Sequence, residues 1–185
     1  MRSMPDDYVA RFGWTRRDLL LLPVCGLFVV VGVAMASSGD MVMGPLAVLL
    51  GGGYLALSTT CAVSRRIALA VTEQGMTFGA VPPWPASRTA HVPWDDVESV
   101  VVWRQSAGDT STRYIGVLRR AGAPPLPGSM RSRTLMKVGR ALVPADVSEP
   151  LMVDSRPVAF WRLDQERLSA ALHRYAPHVA VIDEG

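Results

Sequence analysis

The sequence predicts an α+β protein in which two apolar helices precede a strand-rich domain closed by an amphipathic C-terminal helix. Three observations carry this prediction. Two long charge-free runs lie close together near the N-terminus, short β-type segments separated by turn residues follow them, and a one-sided helical stripe comes near the end. The 185 residues leave room for one ordinary domain and a small extra module. Apolar residues make up 49% of the chain, and their excess is concentrated between Leu19 and Val63.

The first run, Leu19 to Ala36, holds eighteen residues without a charge; the second, Met41 to Val63, holds twenty-three. About 20 apolar residues cross a bilayer core of ~30 Å, so both qualify as transmembrane helices, over about 17–37 and 41–64. The four-residue connection between the runs makes them an antiparallel hairpin. Arg16 and Arg17 precede the first run, Arg65 and Arg66 follow the second, and the connection carries only Asp40. By the positive-inside rule both termini are cytoplasmic, which predicts a multi-pass plasma-membrane protein with an anchor over 1–66 and a cytosolic domain over 67–185. Pro23 and Pro45 fall near the start of each run, where proline is tolerated. The runs contain no ionisable residue, so they read as a tether rather than a transport path. Gly32 and Ala36 form a small-xxx-small pair and Gly51, Gly52 and Gly53 a flat patch, suited to close helix packing within the hairpin or between copies. The stretch around Arg16-Arg17 also resembles a twin-arginine export signal, with Ala34-Met35-Ala36 as a cleavage site. A second run only four residues further on weighs against cleavage.

Beyond Arg66 the pattern breaks into short pieces. Ile67 to Thr72 and Met76 to Ala80 flank Glu73-Gln74-Gly75, where glycine supplies the positive φ of a hairpin loop. A stiff Pro82-Pro83-Trp84-Pro85 loop leads to a strand over Arg88 to Val92. The compact Pro93-Trp94-Asp95-Asp96 turn follows, with strands over Val100 to Arg104 and Tyr114 to Arg119. Residues 121–149, rich in proline and arginine, are not assigned. Two more strands are expected near Leu151 to Asp154 and Val158 to Leu163. Asp164 is a good N-cap for a helix whose Leu168, Ala171, Leu172 and Tyr175 share one face, with Pro177 past its end. These elements predict a strongly bent sheet or open barrel plugged by the helix, with Trp94, Trp103 and Trp161 in the core or at its rim.

The segments Thr72-Glu73-Gln74-Gly75-Met76, Val92-Pro93-Trp94-Asp95-Asp96-Val97-Glu98-Ser99-Val100 and Phe160-Trp161-Arg162-Leu163-Asp164 resemble bacterial pleckstrin-homology-like (PH-like) membrane proteins, the actinobacterial type most nearly. The resemblance covers residues 67 to 185 and, by architecture, the helical pair. It implies a PH-like fold and a non-enzymatic binding role without an established ligand. The proline- and arginine-rich stretch over residues 121–150 departs from the pattern.

The soluble part carries little that reads as catalytic. Asp95 and Asp96 are adjacent and suit a turn better than an acid–base pair. No phosphate-loop pattern occurs, and the three histidines are too scattered for a metal site or a catalytic triad, so no catalytic residue, cofactor or metal is expected. A net charge of +3 and a nearly neutral domain argue against nucleic acid. The functional feature is a run of Arg113, Arg119, Arg120, Arg131, Arg133, Lys137 and Arg140 with no acidic residue between them. One reading is a site for anionic lipid or a partner protein, because a basic side chain near an anionic leaflet contributes about 1 kcal/mol. The other is a solvated face paired with Asp146, Glu149 and Asp154. Trp84 either dips into the membrane interface or packs on the domain wall. The functional expectation is a membrane-anchored binding or scaffolding module, or alternatively an accessory subunit packed through the glycine-rich hairpin; an enzyme with an unrecognised site is a third class.

Overall fold

The computed structural model describes residues 7–107, 110–120, 122–127 and 149–184. It is a mixed α+β structure with two apolar helices near the N-terminus and two four-stranded sheets. The chain opens with β1 (Tyr8–Arg11), ahead of the helices α1 (Arg16–Ser37) and α2 (Met43–Ser64). Strands β2 (Ile67–Thr72), β3 (Gly75–Phe78) and β4 (Ala90–Pro93) then form with β1 an antiparallel sheet in the order β1-β2-β3-β4. After a 3-10 turn at Trp94–Asp96 come the long strands β5 (Val97–Ala107) and β6 (Thr110–Arg119). The short helix α3 (Glu149–Val153), β7 (Arg156–Pro157), α4 (Gln165–Tyr175) and β8 (Ala180–Glu184) complete the fold. The second sheet has the order β7-β6-β5-β8, and β8 runs parallel to β5.

The core lies between the two sheets. Leu69, Val71, Met76, Phe78 and Val92 from the first sheet meet Val100, Val102, Ile115 and Val117 from the second, and α4 adds Leu168, Ala171 and Leu172. That face of α4 is the apolar stripe of the sequence, and Asp164 caps the helix by accepting from Arg167 N at 3.0 Å. Trp94, Trp103 and Trp161 are all buried. Gly75 turns the β2–β3 hairpin at φ +144°. A Cβ there would come within 2.2 Å of the Val92 carbonyl oxygen, so the position demands glycine for space as well as for φ.

Four elements differ from the sequence expectation. Leu151 to Asp154 is part of a helix and the turn after it, because Leu151 and Met152 both press on Val101 and Trp103 on the outer face of the second sheet. Neighbouring residues on a strand would point to opposite faces. The strand expected over Val158 to Leu163 does not form: pairing with β6 is confined to Arg156–Pro157 and a bond from Val158 N to Arg113 O, and Phe160 breaks the run with φ +59°. The helix α4 is not the last element, since β8 follows it. The strand β1 has Tyr8 and Ala10 buried, with Phe12 buried just beyond, and pairs Tyr8 with Val71 and Ala10 with Leu69. The segment before the helices therefore belongs to the same sheet as the segment after them. Tyr8 Oη also accepts from Asp164 N at 3.1 Å, which ties β1 to the start of α4, and burial pushes its phenol pKa up.

Replacing Phe12 by alanine should therefore destabilise the domain by about 3–5 kcal/mol even though Phe12 lies outside 67–185. Thermal unfolding of the purified full-length chain measures this, and an unchanged midpoint would contradict the β1 assignment.

Candidate functional site

The helices α1 and α2 are long and apolar enough to cross a membrane. They pack antiparallel along a seam with a seven-residue repeat: Asp18, Cys25 and Gly32 on α1 against Gly44, Gly51 and Ser58 on α2. Asp18, Gly32, Gly44, Gly51 and Ser58 are all buried. A Cβ on Gly32 would stand 2.8 Å from the Gly44 carbonyl oxygen; one on Gly44, 2.6 Å from Ala36 N; and one on Gly51, 2.7 Å from the Cys25 carbonyl oxygen. Missing side chains thus let the two backbones touch. Of the glycines singled out in the sequence, Gly32 and Gly51 lie on this line and Ala36 faces Gly44. Gly52 only grazes Val29, and Gly53 has open space beside it. Gly44 was missed in the sequence, where its seven-residue spacing from Gly51 was the signal that could have found it.

The outer faces of the pair are apolar and bare. Leu20, Leu27, Val30, Val33, Leu49 and Leu50 are all exposed, and only 6% of the apolar stretch of α1 and 17% of that of α2 is buried. A core helix of a soluble domain would be mostly covered.

At its base the hairpin is fastened to the domain by polar and apolar contacts. Asp18, 4% exposed, accepts from Thr15 N and Thr15 Oγ1 at 2.7 Å on one oxygen and from Tyr54 Oη at 2.7 Å on the other. Thr15 in turn accepts from Asp18 N, completing a capping box that starts α1 at Arg16. That start puts Pro23 two turns inside the helix. Tyr54 lies ten residues before the end of α2, so α2 runs about 15 Å beyond the level where α1 begins. Its last two turns enter the domain, where Cys61 is fully buried in the core and Leu57 packs against it. The second apolar run of the sequence is therefore partly a core helix.

Between the hairpin base and the tip of the β5–β6 hairpin lies a cavity of about 330 Å³ whose lining mixes charged, hydroxyl and apolar side chains. Arg17 and Asp18 line it from α1, Tyr54 from α2, and Ser111, Thr112 and Arg113 from β6, while Leu21 and Phe160 close its apolar rim. Phe160, held in the left-handed region, accepts from Gly13 N at 2.7 Å, and its ring lies 6.0 Å from that of Tyr54. Backbone held in a sparsely populated region costs of order 1–3 kcal/mol and concentrates at ligand sites.

The basic run of the sequence divides. Arg113 reaches the cavity and donates to Gln165 Oε1 at 3.2 Å. Arg119 is committed elsewhere: its Nε lies 2.8 Å from Asp154 Oδ2 in an ion pair whose side chains are 10% and 8% exposed. Asp154 Oδ1 is buried without a hydrogen-bond partner among the described residues. Arg156 beside it is desolvated, which lowers its pKa, while Asp154 acts to raise it. Arg120 is exposed, and its backbone N–H donates to Asp96 O. Arg131, Arg133, Lys137 and Arg140 lie outside the described residues. Trp84 is 52% exposed with the Arg88 guanidinium 4.4 Å above its ring, and its carbonyl accepts from Arg66 beside the end of α2. Half of its surface is thus left uncovered by the domain. No group of three or more metal-ligating side chains occurs among the described residues. Comparison with family models, curated proteins and solved structures finds no match to this chain.

Two outcomes follow from this geometry. Leucine at Gly44 or Gly51 should lower the unfolding midpoint of the detergent-solubilised chain by the equivalent of about 1–3 kcal/mol or more, whereas Gly53→Leu should leave it unchanged. Arg119→Met should cost about 3–5 kcal/mol by stranding a buried carboxylate, and adding Asp154→Leu should restore most of the loss.

Proposed function

We propose that this chain is a membrane-anchored, non-enzymatic binding or scaffolding module whose hairpin crosses the bilayer twice and whose β-rich domain faces the cytosol. The observation that carries the reading is the pairing of β1 with β2 around the hairpin. Two strands in one sheet lie on one side of a membrane, so the helices between them cross it an even number of times. The bare apolar outer faces support insertion, because soluble monomers seldom expose contiguous apolar patches of more than a few hundred Å². The arginines at positions 16, 17, 65 and 66 support the cytosolic side for the domain.

Removal of the N-terminus as an export signal fits poorly with a strand that contributes Tyr8, Ala10 and Phe12 to the core. The PH-like resemblance is part of the proposal, supported by strands built around a C-terminal helix; β1 and β8 are additions it did not lead one to expect. The reading as an accessory subunit of a membrane complex is favoured by one observation, the open backbone at Gly53 on the outer side of α2. The same surface suits a second copy of the chain.

Cysteine labelling tests the topology. With Cys25 and Cys61 replaced by alanine, Ser38→Cys in the helix connection should react with a membrane-impermeant maleimide on intact cells, and Ser87→Cys should react only after lysis. The opposite pattern, or labelling of both sites on intact cells, would overturn the orientation.

A further inference from the structure

We infer that the cavity at the hairpin base is a binding site for a phosphate group, supplied by a phospholipid headgroup from the surrounding leaflet or by a soluble phosphate ester. The inference rests on the bilayer reading above for the lipid source. Its volume of about 330 Å³ lies at the small end of ligand pockets, which run from ~300 to 1,000 Å³. That suits a headgroup rather than a whole lipid.

The charges in the cavity are unbalanced in a specific way. Arg17 has no carboxylate partner among the described residues, and the hydrogen bond shown for Arg113 goes to a neutral amide. Asp18 does not neutralise them by direct pairing, because both its oxygens are taken by Thr15 and Tyr54. Two guanidiniums against one carboxylate leave a single positive charge, which a phosphodiester would balance. Guanidiniums recognise phosphate oxygens through paired N–H donors. Ser111, on the same face of β6 as Arg113, adds a hydroxyl to the opposite wall.

Arg17 belongs to the basic flank of α1, and Asp18 already answers the helix dipole at that end, so the guanidinium of Arg17 remains at the cavity wall without a carboxylate of its own among the described residues. The depth is also right. The apolar stretch of α1 starts at Leu19, and Leu21 forms one rim while the β6 residues form the other. The cavity thus straddles the level at which hydrocarbon gives way to headgroups. The strained Phe160 fixes the remaining rim.

The test uses the full-length chain in nanodiscs made either of phosphatidylglycerol or of a phosphate-free diglucosyl diacylglycerol, with retained lipid read by native mass spectrometry. Wild type should retain phosphatidylglycerol over the glycolipid. Arg17→Gln and Arg113→Gln should each reduce that preference about fivefold. Arg16→Gln, one residue away and not on the cavity wall, should leave it unchanged. A second arm adds glycerol 1-phosphate to the detergent-solubilised chain. Saturable binding there that both variants weaken supports the site with a soluble source, whereas phosphate dependence in discs alone supports the lipid. A chain that does not enter discs overturns the bilayer reading. A chain that enters them, with equal retention of both lipids and no glycerol 1-phosphate binding, overturns the cavity assignment alone.

Discussion

The ladder between β1 and β2 is the constraint on which the rest of the molecule depends. Residues 11 and 67 are register partners on adjacent strands, so a hairpin of two 22-residue helices begins and ends within one strand spacing of itself. Adjacent strands are ~4.8 Å apart, whereas packed helices are usually 8–10 Å apart. The connections at the base must therefore be short and the helices must approach closely. Gly32, Gly44 and Gly51 meet the second requirement by removing the side chain at three points along the seam. The left-handed conformation of Arg65 meets the first, turning the chain from the end of α2 into β2 within two residues.

Closure of that loop also explains the polar chemistry at the base. A carboxylate at the start of an apolar helix, 4% exposed, would be expensive to bury alone. Asp18 is held by a capping box on its own helix and by a phenol from the other, so the hydrogen bond to Tyr54 joins the helices where α1 begins. Below it, Leu57 and Cys61 carry α2 into the sheet core. Hairpin and domain thus share one continuous packing unit.

The helical pair, the short strand segments of β2 to β4, the Gly75 turn and the cap and stripe of α4 were legible because each is written in local residue order. The rest depended on long-range pairing. The four-residue strand β1 carries only a short alternation, which gains meaning when Val71 and Leu69 supply its partners. The run Val179 to Ile182 offered a strand signal that the preceding Pro177 made easy to read as a tail. The glycine block shows the limit most clearly. Successive helical residues turn by 100°, so Gly51, Gly52 and Gly53 cannot all face one neighbour. The selection of Gly51 came from the seven-residue spacing to Gly44 and Ser58. The cavity was hidden for the same reason: Arg17 and Arg113 stand 96 positions apart and meet only because α1 begins beside the end of the β5–β6 hairpin. Arg119, the companion of Arg113 in the charge run, points into the fold toward Asp154.

Continuity of packing has a further consequence for how such a module would work. A domain on a flexible linker samples many heights and tilts above a membrane, and each contact it makes there costs orientational entropy. Here both strands flanking the hairpin are in the sheet, and α2 runs unbroken from the apolar region into the core. The chain connections at both ends of the hairpin and the burial of Cys61 therefore restrict the orientations open to the domain. Weak individual contacts suffice wherever a fold has already ordered the groups that make them.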